Sequence, residues 1–158
     1  LLHESITETL QFLSFEVKNS HARLETELAP IALVCWPQDF HQVMVNLCLN
    51  ALQAMEEKPP AERVLRVRTS RTDGEVRIEV ADRGKGMTAE EQERAFEPFY
   101  TTKPVGKGTG LGLWVSLQFV EKLGGTIEIE SELDRGTLIR VRIPVATEKK
   151  SPAEVGEG

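Results

Sequence analysis

The sequence predicts a single α+β domain, with helices packed on one side of a mostly antiparallel β-sheet. Its 158 residues are enough for one compact core. Several segments alternate apolar and polar residues as half-buried strands do, and other segments repeat apolar residues at helical spacing. We place the domain at residues 1–146, and we expect the largely polar residues 147–158 to form a disordered tail.

The composition is that of an ordinary soluble globular protein, with 40% apolar and 28% charged residues. A formal net charge of −6 argues against nucleic acid or an anionic membrane as the main partner. We find no apolar run long enough to span a bilayer and no signal peptide, so we expect a cytoplasmic location. A membrane anchor elsewhere in a longer parent protein is compatible with this expectation. We interpret Cys35 and Cys48 as buried thiols in a reducing compartment, rather than as zinc ligands or a disulfide.

The first half of the chain is predicted to contain two helices and two short strands. Residues 1–19 form the first helix, since apolar residues recur three or four positions apart, at Leu2, Ile6, Leu10, Leu13 and Val17. Strands are expected at 22–28 and 31–35, with a break around Ala29 and Pro30. A second helix runs from Pro37 to about Glu57, where the segment 58–60 (KPP) ends it.

The second half is predicted to contain two strand pairs and two helices. Residues 63–70 and 75–82 alternate in polarity, and Asp73 and Gly74 between them favour a hairpin turn. Thr88 is expected to cap a short helix over 88–95, which is followed by a mobile loop at 97–110 that is rich in glycine and proline. A helix over 110–123 ends at two glycines, and strands at 126–131 and 136–144 complete the sheet.

Four uncharged amides lie on one narrow stripe of the long helix, which is otherwise apolar around most of its circumference. They are Gln42, Asn46, Asn50 and Gln53. Buried amides need hydrogen-bonding partners, and two interpretations of these partners remain open. The amide oxygens can coordinate a hard cation such as Mg²⁺ that is shared with phosphates, or the amides can form a polar network between helix and sheet.

An acidic residue, Asp82, has the same parity as the three apolar residues of its strand, so its carboxylate is predicted to point inward. The exocyclic amine of an adenine would satisfy this carboxylate, and Gly84 and Gly86 would let the backbone lie against a flat ligand. Thr137 has the inward parity of the last strand and would place a hydroxyl beside Asp82. The alternatives are a solvated turn at Asp82 and a threonine that merely fills its strand.

A glycine-rich segment, residues 106–113, runs directly into an apolar helix. Glycines expose backbone N–H groups and a helix N-terminus favours anions, so this segment predicts a polyphosphate site, with a flexible linker as the alternative. Thr109 would add a hydroxyl group, and Lys103 and Lys107 would add positive charge. The spacing matches neither a P-loop nor a dinucleotide-binding turn.

Three aromatic residues precede this loop, at Phe96, Phe99 and Tyr100. They are interpreted as contacts that hold a lid open or closed, as ordinary core residues, or as both.

These features, in this order, resemble the catalytic domain of sensor histidine kinases in the GHKL ATPase superfamily. Residues 46–51 (NLCLNA) are similar to the family's N box, and residues 82–86 (DRGKG) are similar to its first glycine box. Residues 96–99 (FEPF) are similar to its F box, and residues 108–113 (GTGLGL) are similar to its second glycine box. The longer run FEPFYTTK is similar to nitrogen-regulator-type kinases, and the resemblance extends to about residue 145.

The resemblance implies the Bergerat fold, a two-layer α/β sandwich in which helices cover one face of a mixed sheet. It implies MgATP as the ligand, with Asn50 as the Mg²⁺ ligand, Asn46 in support, Asp82 bound to the adenine amino group and Thr137 assisting. The lid, from Pro98 to Gly110, would close over the phosphates, and Lys103 would reach them. The two glycine boxes complete the implied nucleotide-binding set with Gly84, Gly86, Gly108, Thr109, Gly110, Leu111 and Gly112.

Two departures from related patterns bear on activity. In gyrase- and MutL-type relatives, and in anti-sigma serine kinases, a glutamate stands one turn before the Mg²⁺-binding asparagine. Here that residue is Asn46, which cannot act as a general base, so we expect phosphoryl transfer to another nucleophile rather than fast hydrolysis. Many histidine kinases also carry a basic residue at the position of Gln53. The phosphate charge would then be met by one of Lys103, Lys107, Arg83 and Lys85.

The implied phosphoacceptor is a histidine on a separate dimerisation domain, and a response regulator is an indirect partner. His3 lacks the proline that follows the family's acceptor, so it is not interpreted as the acceptor, and His21 and His41 are interpreted as structural. Without dimerisation helices the chain is expected to be monomeric. Two other functions stay open, a nucleotide-sensing module that transfers no phosphate and an ATP hydrolase, which Asn46 disfavours.

Overall fold

The computed structural model describes residues 2–31, 37–72, 74–102 and 110–145. The α-helices in these ranges are α1 Leu2–Phe12, α2 Ser14–Asn19, α3 Pro37–Ala54, α4 Ala89–Arg94 and α5 Gly112–Lys122. The strands are β1 Arg23–Glu27, β2 Val64–Thr72, β3 Glu75–Asp82, β4 Thr126–Glu132 and β5 Gly136–Pro144, and a 3₁₀ turn at Pro60–Glu62 precedes β2. None of the described helices is long and apolar enough to cross a membrane.

The strands form one mixed sheet in the order β1-β2-β3-β5-β4. β1 pairs with β2 in parallel, and the other neighbouring pairs are antiparallel. Thr72 pairs with Glu75, and Gly74 in the turn between them has a φ of +80°. The predicted hairpin is thus confirmed, although Asp73 itself lies outside the described residues.

One face of the sheet packs against α3 and α5, and α1 packs against α3; these contacts form the hydrophobic core. Strand residues alternate between this buried face and the opposite face, as their sequence pattern predicts. The largest fully buried side chains are Phe40, Ile6, Leu13, Met44, Leu47, Met55, Leu65, Ile78, Val67, Val76, Val80 and Val120. The predicted α+β architecture, with helices on one face of a mostly antiparallel sheet, is confirmed.

The opposite face of the sheet carries a lattice of arginine and glutamate side chains. The guanidinium nitrogens of Arg140 lie 3.8 Å from a carboxylate oxygen of Glu79, 3.4 Å from Glu128 and 3.0 Å from Glu130. Arg142 Nε lies 3.1 Å from the Glu128 carboxylate. Opposite charges on adjacent strands stabilise their pairing, and they make this face polar.

The predicted first helix is interrupted at Leu13, which has turn geometry between α1 and α2, with φ −87° and ψ 3°. One turn earlier, the Thr9 hydroxyl donates a hydrogen bond to the carbonyl oxygen of Ser5 at 2.9 Å, and it lies 3.0 Å from Nδ1 of His41. Hydroxyl bonds to a carbonyl four residues earlier often bend helices. The apolar stripe continues through the interruption, since Leu13 and Val17 are both buried.

The long helix α3 ends at Ala54 rather than near Glu57. The carbonyl oxygen of Ala54 accepts a hydrogen bond from the backbone N–H of Lys85 at 3.0 Å. The Arg63 guanidinium donates to the carbonyl oxygens of Glu56 and Lys58, both at 2.9 Å. The carbonyl oxygens of Leu52 and Gln53 accept from the N–H groups three residues later, so the helix ends in tight turns, and the distant donor at this end is the N–H of Lys85, which donates to Ala54.

The remaining boundaries differ little from the sequence prediction. Thr88 caps α4 as expected, because its hydroxyl accepts from the N–H of Glu91 at 3.1 Å and the Glu91 carboxylate accepts from the N–H of Thr88 at 3.4 Å. Ile31 is buried and not in a strand, and the rest of the strand predicted at 31–35 lies outside the described residues, as does the tail from residue 146.

Candidate active site

A cavity of about 670 Å³ opens between the C-terminal half of α3, the N-terminus of α5 and the adjoining ends of β3 and β5. The segment from Tyr100 to Thr102 closes part of its rim. Its volume is typical of pockets that hold a small molecule or a cofactor. Apolar side chains such as Val80 and Ile139 line it together with a comparable number of polar and charged side chains.

Asp82 and Thr137 form the polar end of this cavity. They are paired residues on β3 and β5, and both line the cavity as their strand parity predicted. Asp82 Oδ1 accepts a hydrogen bond from the backbone N–H of Gly84 at 2.8 Å. The Asp82 carboxylate and the Thr137 hydroxyl are therefore neighbours in the sheet, and the N–H of Gly84 positions the carboxylate.

Burial raises the pKa of the Asp82 carboxyl to about 6. The backbone N–H groups of Gly84 and Thr137 act in the opposite direction, because they stabilise the ionised form. Desolvation is the larger effect, so in the free domain the ionised form of Asp82 is destabilised relative to an exposed aspartate. A ligand that donates a hydrogen bond to Asp82 would reduce that destabilisation.

The amide stripe of α3 borders the same cavity, to which Asn46, Asn50 and Gln53 contribute. The side-chain amide of Gln42 donates to Asn46 Oδ1 at 2.9 Å, and Asn46 Nδ2 donates to the carbonyl oxygen of Gly112 at 3.4 Å. The described partner of Asn46 is therefore the start of α5 rather than the sheet.

The segment that precedes α5 is closed at its base by two backbone groups. The N–H of Phe99 donates to the carbonyl oxygen of Gly110 at 2.9 Å. Gly110 has a φ of +71°, and a Cβ at this position would overlap the backbone of Phe99. Only glycine combines this conformation with so close an approach to the backbone of Phe99.

A family model described as histidine kinase-, DNA gyrase B-, and HSP90-like ATPase matches residues 37–147. The chain belongs to this family. The matched range includes every residue that lines the cavity.

Similar proteins within the family are sensor kinases. Sensor protein TdiS from Thauera aromatica is 34% identical over 148 residues, which are 91% of this chain and 27% of that protein. Sensor histidine kinase ZraS from Klebsiella oxytoca is 38% identical over 152 residues, which are 94% of this chain and 32% of that protein. The resemblance to sensor histidine kinases is confirmed, and the chain spans about a third or less of the length of these relatives.

Solved structures of the family share the fold. The catalytic domain of histidine kinase ThkA, in a nucleotide-free form, matches with a TM-score of 0.78 at 26% identity. The match covers 90% of this chain and 93% of the ThkA chain. Full-length ShkA in complex with AMPPNP has a TM-score of 0.80 at 23% identity, covering 95% of this chain and 31% of its own, and this likeness concerns the fold alone. The two-layer sandwich implied by the resemblance is confirmed.

The structure places the first glycine box of this family member beside the cavity but gives its two glycines different surroundings. A Cβ on Gly84 would lie 2.5 Å from the carbonyl oxygen of Ala54, so this glycine allows the loop to pack against the end of α3, and it does not line the cavity. Gly86 does line the cavity; it has a φ of +72°, and its Cα faces the backbone of Glu132. Contact with a flat ligand stays a prediction, and close backbone packing is the observed reason for Gly84.

Three of the predicted phosphate-binding residues, Lys103, Gly108 and Thr109, lie outside the described residues, as does Lys107. Gly110 and Gly112 line the cavity, whereas Leu111 is the N-cap of α5 and lies beside it. Of the other candidate cations for the phosphate charge, Lys85 lines the cavity and Arg83 does not.

The aromatic segment is only partly a core element. Phe99 is 74% exposed and has a φ of +67°, so it does not pack in the core. Tyr100 lines the cavity, and the Arg94 guanidinium lies 4.2 Å from the centre of its ring. This cation–π contact links the rim of the cavity to α4.

Sequence reasoning missed two polar residues behind the cavity, Ser131 and Gln92. The Ser131 hydroxyl contacts the backbone N–H of Met87, the carbonyl of Gly136 and the Thr137 hydroxyl. Gln92 Nε2 donates to the carbonyl oxygens of Met87 and Ser131 at 3.3 and 3.2 Å. A signal was present for Ser131, because it occupies an inward position of β4 where an apolar residue is the norm.

Proposed function

We propose that the chain binds MgATP in this cavity and donates the γ-phosphoryl group to a histidine on a separate dimerisation and phosphoacceptor domain in two-component signal transduction. The observation that carries this proposal is that one cavity is lined by an inward carboxylate beside a hydroxyl, by a stripe of amides and by the N-terminus of a helix. The first pair suits an adenine, and the amides and the helix N-terminus suit magnesium and phosphates.

At the adenine end, Asp82 accepts a hydrogen bond from the exocyclic amine. Two backbone N–H groups hold the carboxylate, and its raised pKa of about 6 still leaves it mainly ionised at neutral pH. Val80 and Ile139 offer apolar surface to the flat base. Thr137 contributes a second polar contact from the neighbouring strand.

At the phosphate end, Asn50 is the proposed Mg²⁺ ligand, because its amide oxygen is the kind of hard donor that Mg²⁺ prefers. The described residues contain no group of three or more His, Cys, Asp or Glu side chains that could hold a metal by themselves. The remaining ligands would therefore be phosphate and water oxygens, as is common for nucleotide-bound Mg²⁺. When bound, the ion neutralises charge on the phosphates, and Asn46 supports its neighbour from one turn earlier.

The lid residues complete the proposed phosphate site. Lys103, Gly108 and Thr109 contribute from the lid itself, and Gly110, Leu111 and Gly112 contribute from its junction with α5. Backbone N–H groups at the start of a helix stabilise negative charge, and a lysine adds a point charge to the γ-phosphoryl group. The donors act by positioning and charge stabilisation, which dominate in phosphoryl transfer.

Transfer is favoured over hydrolysis by the side chain at position 46. The Asn46 amide accepts from Gln42 and donates to Gly112, so both of its polar atoms have partners. A neutral amide does not remove a proton from water at neutral pH. The γ-phosphoryl group is therefore transferred to the acceptor imidazole rather than to water. A nitrogen of the imidazole forms the new bond to phosphorus as the bond between phosphorus and the leaving oxygen of ADP breaks.

The wider setting is part of the same proposal. We place the domain on the cytoplasmic side, with the parent protein either soluble or anchored in a membrane. The direct partner is the phosphoacceptor domain of the parent kinase, and a response regulator receives the phosphoryl group later. The chain alone is expected to be a monomer.

A calorimetric titration with ATP, with and without Mg²⁺, tests the nucleotide site. We expect Mg²⁺-dependent binding that Asn50→Ala abolishes or weakens strongly. Asn19→Ala removes the same amide from an exposed position at the end of α2 and serves as the matched control. Wild-type-like, Mg²⁺-dependent binding by Asn50→Ala would remove the metal assignment, and no binding of ATP or ADP would remove the proposal.

Incubation with γ-labelled ATP and the parent's dimerisation domain tests the transfer. Acid-labile, base-stable label on a histidine supports the kinase function. Binding of ATP without any label would favour a nucleotide-sensing module, and steady release of phosphate by the chain alone would favour a hydrolase.

A further inference from the structure

The Ser131 hydroxyl lies at the centre of a group of hydrogen bonds behind the polar end of the cavity. Its Oγ accepts from the backbone N–H of Met87 at 2.8 Å and donates to the carbonyl oxygen of Gly136 at 3.0 Å. It also lies 2.8 Å from Oγ1 of Thr137, the residue with which it pairs across β4 and β5. Thr137 in turn is the strand partner of Asp82.

A count of protons gives the direction of the bond between the two hydroxyls. A serine hydroxyl has one proton to donate and two lone pairs to accept with. The N–H of Met87 can only donate, and the carbonyl of Gly136 can only accept. All three contacts are hydrogen bonds at once only when Ser131 donates its single proton to Gly136 and the Thr137 hydroxyl donates its own proton to Ser131.

The position of Ser131 is itself fixed by a second side chain. Gln92 Nε2 donates one hydrogen bond to the carbonyl oxygen of Ser131 and one to that of Met87. Met87 and Ser131 are thus connected twice: by the hydrogen bond from the Met87 N–H to the Ser131 hydroxyl, and through Gln92, which binds the carbonyl oxygens of both residues. The position of the Ser131 hydroxyl is therefore set by a network of hydrogen bonds that includes Met87 and Gln92.

We propose that Ser131 is a positioning residue for nucleobase recognition: its oxygen accepts a hydrogen bond from the Thr137 hydroxyl, so that Thr137 presents only lone pairs to the cavity. Asp82 also presents lone pairs when ionised. The two neighbouring groups then accept the two protons of one exocyclic amine, such as that of a 6-amino purine, and oppose the oxygen that a 6-oxo purine places there. This inference rests on the proposed binding of adenine at Asp82 and adds the residue that sets the hydrogen-bond polarity of its neighbour.

The test compares the dissociation constants of ATP and ITP, which differ at position 6, where ATP has an amine and ITP an oxygen, and at N1, which carries a proton in ITP alone. In Ser131→Ala the Thr137 hydroxyl is free to rotate and donate to the cavity, so we expect the ratio of the ITP to the ATP constant to fall about tenfold. A role in folding alone would weaken both nucleotides by one factor and leave the ratio unchanged, and that result would overturn the proposal.

Further variants keep the test decisive. Ser131→Thr retains the hydroxyl and is expected to keep the wild-type ratio, whereas Ser70→Ala removes a half-buried strand serine away from the cavity and serves as the control. If Ser131→Ala does not fold, Ser131→Cys, which keeps the size of the side chain, is expected to lower the ratio in the same direction. An unchanged ratio in Ser131→Cys would equally overturn the proposal.

A double variant separates this inference from the proposed function. In Thr137→Val the hydroxyl is absent, so adding Ser131→Ala should not change the ratio further. If the wild-type chain binds no nucleotide, the proposed function fails. If it binds ATP through Asp82 but the additional Ser131 substitution lowers the ratio in Thr137→Val, only the positioning role fails.

Discussion

The backbone N–H of Phe99 and the carbonyl oxygen of Gly110 are joined by a hydrogen bond of 2.9 Å across eleven positions of the chain. Both residues have positive φ values, +67° and +71°. This contact joins two residues that lie near the two ends of the predicted lid, Pro98 to Gly110.

The substitution Gly110→Ala is expected to weaken ATP binding by about tenfold or more. An added Cβ meets the Phe99 backbone and is strained at this φ, which costs roughly 1–3 kcal/mol and displaces the base of the segment. Gly124→Ala is the control, because Gly124 has a similar φ of +75° but its Cβ would meet only Pro144 at 3.5 Å. Calorimetry with both variants checks this, and equal ATP affinities would contradict it.

The stability of the free domain is expected to depend on pH through Asp82. Its pKa is raised from 3.8 to about 6 on folding, so the stabilisation from its protonated form is complete below about pH 4 and is lost as pH rises through about 6. The full effect is about 3 kcal/mol, with each pKa unit worth about 1.4. Urea denaturation of wild type and Asp82→Asn between pH 4 and 7 should show a difference that changes over this window, and a constant difference would contradict the assignment.

Adenosine binding is expected to have the opposite pH dependence. The amine needs an ionised acceptor, so affinity should fall as pH falls through about 6 and Asp82 takes up its proton. Adenosine is the probe because the terminal phosphate of ATP titrates near the same pH, with a pKa of about 6. Calorimetry at pH 5 and 7.5 measures the change, and Asp82→Asn should bind weakly at both. Adenosine affinity that stays level from pH 7.5 to 5 would argue against contact with Asp82.

Arg63 is expected to be a major structural residue although it does not line the cavity. Its guanidinium donates to the carbonyl oxygens of Ser20, Glu56 and Lys58 at 2.6, 2.9 and 2.9 Å. A lysine cannot reach all three, so Arg63→Lys should lower the free energy of unfolding by roughly 1–3 kcal/mol. Arg68→Lys, in an exposed pair with Glu27 at 3.3 Å, should cost less than about 1 kcal/mol. Equal losses in urea denaturation would contradict this.

Much of the fold and part of the site follow from patterns that are local in sequence. Strand parity alone predicted that Asp82 and Thr137 face the core side, and both line the cavity. Thr88 followed by Glu91 predicted a capped helix, and the capping box is present. These predictions succeed because helical and strand periodicity, turns and caps depend on residues within a few positions of each other.

Only the tertiary structure decided which distant groups meet. The end of α3 at Ala54, the packing of Gly84 and the hydrogen bonds of Arg63 each depend on a partner in another segment. Ser131 binds Met87 across 44 positions, and nothing between them in the sequence specifies that contact. The physical reason is that periodicity states which face of an element is buried, whereas strand order and the path of each loop choose the partner. The sequence alone therefore determined the elements and the inward side chains, and the fold determined which groups contact Thr137 and the hydrogen bond between Phe99 and Gly110.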